Sequence, residues 1–179
     1  MNLNFNPDND MSAHLPVIQA ICENIAPSIV LEIGVKGGLS TSAIMRGMLN
    51  SKEVGRYHGC DISEQIRLPE ISLRLKSHLH IMSSDNLAKI WELPIEFLFI
   101  DGDHNYEQVK RDYLNFSKFV VENGFMLFHD TYPPDESYKR ETHCGTAYKI
   151  LDDLKNDLHF ESVTLPYYCG LTICRRVND

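Results

Sequence analysis

Apolar, β-rich runs alternate with segments of helical spacing along most of this chain, and that alternation constrains the fold more than any other feature. "SIVLEIG" (28–34), "RYHGCDI" (56–62), "HLHIMSS" (78–84), "IEFLFIDGD" (95–103) and "GFMLFHD" (124–130) read as strands. Between them, Val17, Ile18, Ile21, Cys22 and Ile25 predict an opening helix, and a second spans about Leu39 to Leu49. A third is predicted from Ile66 to Ser77, across Pro69, and "NLAKIWEL" (86–93) reads as a short one. Tyr106, Val109, Tyr113, Phe116 and Val120 line one face of a long helix, and Ala147, Ile150, Leu151, Leu154 and Leu158 stripe the last. Two closing runs, "FESVTLP" (160–166) and "CGLTICRRV" (169–177), are close enough to pair antiparallel. Strand–helix alternation implies right-handed crossovers, hence an α/β fold with a largely parallel sheet and helices on both faces. One domain over 13–179 is expected, after a polar, flexible start over 1–12.

Composition removes several function classes. A net charge of −8 argues against nucleic-acid binding, which needs clustered cations. No apolar run reaches the roughly 18 residues of a membrane span. The start "MNLNFNPDNDMSAHL" has neither the basic nor the apolar part of a signal peptide. Cys22, Cys60, Cys144, Cys169 and Cys174 are scattered, without C-x-x-C spacing. They read as reduced, packing thiols of a cytoplasmic protein rather than zinc ligands or nucleophiles.

In such sheets ligands collect outside the carboxyl ends of the strands, so function is read just after each one. Gly34, Gly37 and Gly38 after the first strand, ahead of a helix N-terminus, suit a carboxylate or phosphate. The alternative is a plain tight turn with Ser40 as cap. Glu32, inside that strand, must be paired, either to a ligand's ammonium or to a backbone turn. Asp61 after the second strand suits ribose hydroxyls, or else caps a helix. Asp85, in "SSDN", suits an adenine edge or a helix cap. Asp101, Asp103 and His104 follow the fourth strand, and His129 and Asp130 end the fifth, so the two clusters can face each other across one cleft.

"LEIGVKGGLST", Asp61, "FLFIDGDHNYEQVKRDYLNF", "NGFMLFHDT", "CGTAYKILDDL" and "GLTICRR" together resemble the class I S-adenosylmethionine-dependent methyltransferases. The resemblance is greatest to the small branch with macrocin-type sugar O-methyltransferases and relatives of cephalosporin hydroxylase, and covers about residues 28 to 176. It implies a Rossmann-like, doubly wound, seven-stranded sheet with a C-terminal antiparallel hairpin. It implies S-adenosylmethionine as cofactor, its amino-acid half near Glu32, Gly34, Gly37, Gly38, Ser40 and Thr41. Asp61 would hold the ribose, with Ser84, Asp85 and Asp101 completing the set. Here Val35 and Lys36 interrupt the glycines, and Lys36 points either to the cofactor carboxylate or to solvent. Proton removal from the acceptor has two possible routes. A divalent cation (Mg or Mn) would sit on Asp101, His129 and Asp130; alternatively His104 or His129 is the general base, histidine's ordinary pKa lying near neutrality. A third reading leaves His129 and Asp130 as structural caps. The acceptor would be a small molecule, a sugar or secondary metabolite, bordered by Tyr132 and His143. The segment "TYPPDESYKRETHCGT" (131–146) reads as a lid or a surface loop. A homodimer is plausible. The competing classes are a non-catalytic nucleotide-binding domain and a metal-dependent hydrolase.

Overall fold

Every residue of β1 (Ile29–Ile33) is buried, because β1 has a strand on each edge and helices on each face. The computed structural model describes residues 10–50, 55–66, 68–140 and 143–177. Among these, β1, β2 (Arg56–Asp61), β3 (Lys76–Ile81), β4 (Ile95–Ile100), β5 (Val120–His129), β6 (Phe160–Leu165) and β7 (Leu171–Arg176) form one sheet in the order β3-β2-β1-β4-β5-β7-β6. The first five are parallel, and β7 is inserted antiparallel between β5 and β6. The Rossmann-like, doubly wound sheet with its reversed C-terminal hairpin is therefore as expected. The helices are α1 (Leu15–Ile25), α2 (Leu39–Met48), α3 (Ser84–Ala88), α4 (Tyr106–Phe116) and α5 (Ile150–Asn156).

Strand alternation sorts the core into two layers. Leu31, Ile33, Leu98, Ile100 and Phe128 pack against α3, α4 and α5, in a cluster that includes Leu87, Phe116 and Leu154. Val30, Phe97, Phe99 and Leu127 pack against α1 and α2, among Ile18, Cys22, Ile44 and Met48. Each fully buried side chain of this size contributes roughly 1.5–3 kcal/mol. The alternating faces also decide the fate of Glu32, which points with Val30 toward α2.

Some element limits differ from expectation. The helix predicted over 66–77 is only a 3-10 turn, Glu70–Arg74, after an extended Pro69. Leu68, Ile71 and Leu75 still pack against the α1–α2 layer, but extended backbone at Pro69 and Leu75 confines the turn, and β3 starts two residues early at Lys76; Arg67 lies outside the described residues. The long helix ends at Phe116, and β5 takes Val120 across a register break opposite Ile95 and Phe97. "NLAKIWEL" is helical only to Ala88, and Leu158 is exposed rather than on the α5 stripe. Residues 1–9 of the expected flexible start lie outside the described residues, but Asp10–Ala13 form a 3-10 turn that buries Met11 and Ser12. Among the described residues, no helix is long and apolar enough to cross a membrane.

Candidate functional site

Glu32 is satisfied inside the protein. Its carboxylate accepts hydrogen bonds from Ser40 Oγ at 2.5 Å, Thr41 Oγ1 at 2.8 Å and the Tyr57 hydroxyl. The structure gives Glu32 protein partners in place of the expected ligand contacts: it, Ser40 and Thr41 lie outside the walls of the two cavities described below, and its acceptor sites go to hydroxyls of α2 and β2. Burial raises Glu32 from its ordinary 4.5 to about 7, against the pull of the three hydroxyls. The folded chain then holds a proton that the unfolded chain has lost, so stability falls as pH rises from about 4.5 to about 7. Glu32→Gln removes that titration. In urea unfolding at pH 5 and pH 8, the variant is expected to lose up to about 3 kcal/mol less than wild type between the two. Equal losses would mean that Glu32 stays ionised.

The cleft opens one residue further on. Gly34 N donates to Cys60 O and Asp101 N to Ile33 O, both at 2.9 Å, lacing the tips of β1, β2 and β4 together. Gly34 has φ +90, and a Cβ there would lie 2.2 Å from the Asp101 carbonyl oxygen. The glycine is thus required by the approach of β4, whatever binds above it. Asp61 clamps the turn: Oδ2 accepts from Val35 N at 3.0 Å and Lys36 N at 2.9 Å, and Oδ1 from Ser63 N at 2.9 Å. A carboxylate has about four acceptor positions, so one remains.

A cavity of about 800 Å³ lies over these tips, with Gly34, Lys36, Asp61, Ser84, Asp101 and His104 among its walls. Gly37 and Gly38 do not border it: Gly37 faces open space, and Gly38 is the left-handed N-cap of α2. Asp85 is also displaced from its expected place, bonded by Asn115 Nδ2 at 3.2 Å and lying 3.5 Å from Arg111 Nε on α4. Nor is it the α3 cap, since Ser83 accepts from Asn86 N. The strand-tip reading missed Gln108 and Asp112, which reach the cavity from α4. Gln108 Nε2 donates to Asp112 Oδ1 at 3.0 Å and to Ser84 Oγ at 3.2 Å. Burial pushes Asp112 up to about 6. Its signal was a polar pair, four apart, flanking the apolar face of α4.

His129 and Asp130 close the back of the cleft. His129 Nδ1 lies 3.3 Å from both Asp101 Oδ1 and Asp130 Oδ1. Burial opposes its charge, but the two carboxylates outweigh burial and raise its pKa well above the usual value. The same two carboxylates that favour a proton on His129 would favour a metal ion in its place, and His129 stands with Asp10 and Asp130 in one possible ligand set. Burial favours the neutral form of Asp130, yet the His129 and His104 rings hold it below the ordinary carboxylate range. His104 is different. Its Nδ1 meets the His143 carbonyl, its Nε2 lies 3.2 Å from Asp130 Oδ2, and its side chain is 33% exposed. With the proton on Nδ1, the Nε2 lone pair faces a carboxylate oxygen, and only a cation, proton or metal, makes that apposition favourable. Asp130 belongs to every cluster of possible metal ligands among the described residues: with Asp101 and His104, with Asp10 and His129, and with Cys144 and Cys169. In each, the ligand atoms lie within 4.8 Å of one another, and Asp101 and His104 also border the cavity. His14, at the start of α1, was missed because it precedes every strand; its ring meets His129 edge to face at 5.3 Å. Burial, then the charge of His129, pushes His14 down to about 4.

A family model described as "Methyltransferase domain" matches residues 31–131, more than half of the chain. An uncharacterized protein of Acanthamoeba polyphaga mimivirus is 29% identical over 126 residues, 62% of this chain and 57% of that protein, so the match spans little more than half of that relative. An SAH-bound methyltransferase of Podospora anserina superposes with a TM-score of 0.74 at 18% identity, covering 98% of this chain and 83% of that one. An O-methyltransferase from Bacillus cereus in complex with SAH gives 0.72 at 15%, covering 97% and 84%. The O-methyltransferase TomG of Streptomyces achromogenes, in complex with SAM, gives 0.74 at 13%, covering 93% and 81%. These structures share the fold, and the matched segment runs from β1 through the histidine and aspartate that end β5: the chain belongs to the methyltransferase-domain family.

Proposed function

We propose that the chain transfers a methyl group from S-adenosylmethionine to a hydroxyl oxygen of a small molecule. The observation that carries this is the cavity of about 800 Å³ above the tips of β1, β2 and β4, with Asp61 and Asp101 on its walls. Asp61 offers its remaining acceptor position to a ribose hydroxyl. Ser84, Gln108 and Asp112 lie where the base would rest, and Gly34, Lys36 and Asp101 face the amino-acid end. Asp101 balances the ammonium there, in place of Glu32. When bound, the cofactor supplies a methyl group on a sulfonium, whose charge disperses during transfer. The chain's own work is to orient the acceptor, exclude water and take the hydroxyl proton.

The His104–Asp130 pair takes it, the proton being shared between Nε2 and the facing Oδ2. Asp130 faces the His104 Nε2, the His143 carbonyl fixes the other ring nitrogen, and the His129 ring lies between Asp101 and Asp130. Asp101, His104 and Asp130 are also the residues that would hold a divalent cation, which would lower the pKa of the acceptor hydroxyl. One imidazole beside two carboxylates suits Mn²⁺ better than Mg²⁺. The two uses of the Nε2 lone pair exclude each other, so metal dependence is decidable by experiment. The five cysteines are free and buried, which fits a reducing, cytoplasm-like compartment.

S-adenosylhomocysteine at about 100 times its dissociation constant stabilises a native state by about 2.7 kcal/mol. For a chain of this length that corresponds to a rise in melting temperature of roughly 5–10 °C. Asp61→Ala is expected to remove most of the rise. No rise at millimolar ligand would reject the proposal.

A further inference from the structure

A second cavity, of about 410 Å³, is bounded by Tyr132, Pro134, Pro166, Tyr167 and Tyr168. Its two walls come from distant parts of the chain, the segment after β5 and the turn between β6 and β7. They are locked together without any ligand. Tyr132 N donates to Cys169 O at 2.7 Å, and Gly170 N to Tyr167 O at 2.9 Å. Thr172 Oγ1 donates to Thr131 Oγ1 at 2.8 Å. Gly170 takes φ +85 under Tyr132, where a Cβ would come within 2.4 Å of the tyrosine's own Cβ. Tyr168 is held at φ +51, a left-handed conformation that costs an aromatic residue about 1–3 kcal/mol. The rings of Tyr167 and Tyr168 meet edge to face at 4.6 Å. This scaffold keeps large aromatic faces in the open: Tyr132 is 49% exposed and Tyr167 62%.

The place is as telling as the build. Tyr132 stands two residues after Asp130. The Asp130 carboxylate is 3.2 Å from His104 Nε2 on the side of the first cavity, and within 4.8 Å of the Cys169 sulfur on the side of the second. Asp130 lines neither cavity, but its contacts join His104 in the wall of the first to the residue that follows Tyr168 in the wall of the second. The lining of the second cavity contains no group ionised at neutral pH, so an anion or a cation gains no counter-charge from it. Tyrosine faces stack on rings, and phenol hydroxyls exchange hydrogen bonds with hydroxyls.

We infer that this pocket receives the methyl acceptor, and that the acceptor is a hydroxyl-bearing ring without anionic groups rather than a phosphorylated compound. The inference rests on the first cavity being the cofactor site. The test uses the full chain with and without S-adenosylhomocysteine and three probes: protocatechualdehyde, methyl glucoside and glucose phosphate. Saturation-transfer NMR is expected to report at least one neutral probe on the loaded protein and not the phosphate. Protocatechualdehyde responding alone assigns an aromatic acceptor, the glucoside alone a saturated ring, and both together a general ring site. Tyr132→Ala and Tyr167→Ala each should weaken the bound probe roughly tenfold or more, leaving the affinity for S-adenosylhomocysteine unchanged. Binding of neither neutral probe, equal binding of the phosphate, or indifference to both substitutions overturns the inference while the cofactor site stands. Failure of S-adenosylhomocysteine to bind wild type overturns the cofactor site, and this inference with it.

Discussion

Gly34→Ala is expected to cost at least about 3 kcal/mol of stability, or to prevent folding. Two penalties add. An L side chain at φ +90 is strained, and its Cβ would lie 2.2 Å from the oxygen and 2.6 Å from the carbon of the Asp101 carbonyl. Those atoms are backbone, pinned by the bond from Asp101 N to Ile33 O, so no side chain can swing away. Relief would require parting the tips of β1 and β4, which breaks the floor of the cleft. Gly37→Ala is the control: nothing lies within 4 Å of an added Cβ, and it should unfold in urea within about 0.5 kcal/mol of wild type. A Gly34→Ala protein within about 1 kcal/mol of wild type would show that the tips are not so tightly joined.

Asp130→Ala is expected to lower turnover by about 10²- to 10⁴-fold, the usual worth of a positioned proton-transfer group. It removes the carboxylate that faces His104 Nε2 and one of the two that hold the His129 charge. Leaving a buried cation half-compensated also costs stability, by roughly 3 kcal/mol. Asp130→Asn keeps the volume, and therefore separates the chemical loss from the structural one. The cofactor affinity of Asp130→Asn should stay near wild type. If a cation is used, chelation abolishes wild-type turnover, Mn²⁺ restores it, and the asparagine variant needs more Mn²⁺. If His104 is the base, chelation has no effect and His104→Ala falls as far as Asp130→Ala. An Asp130→Ala enzyme with wild-type turnover would remove the whole cluster from the reaction.

Much of the fold was legible because buried strands leave a local record. "IEFLFI" and "FMLFH" are apolar on both faces, and only a strand covered by two helix layers can be so. β3 was weaker, since "KSHLHI" is half exposed, and its start was misplaced under a helix that the extended Pro69 and Leu75 cut to one short turn. Asp61, Asp101 and His104 share one cavity wall because parallel strands deliver their carboxyl ends to one edge. Glu32 was misplaced for a reason no local window contains. Its partner Tyr57 is 25 residues away and becomes adjacent only when β2 pairs with β1. The surroundings of His129 were hidden in the same way, because Asp101, on the neighbouring strand's end, comes within reach only when β4 pairs with β5. His14 and the Tyr167–Tyr168 turn were invisible as site elements, since neither follows a parallel strand.

The central place of β1 matters before the molecule is finished. One of its edges is closed by β2, but the other waits for β4, which ends at Ile100. A chain leaving the ribosome N-terminus first therefore displays Ile29, Val30, Leu31 and Ile33 on a strand with one open edge while some forty further residues after β2 are being made. Such an edge is a template for any other extended chain nearby. Translation pauses after β2 has emerged and before β4 has emerged would prolong that exposure, and pauses after β4 has emerged would not.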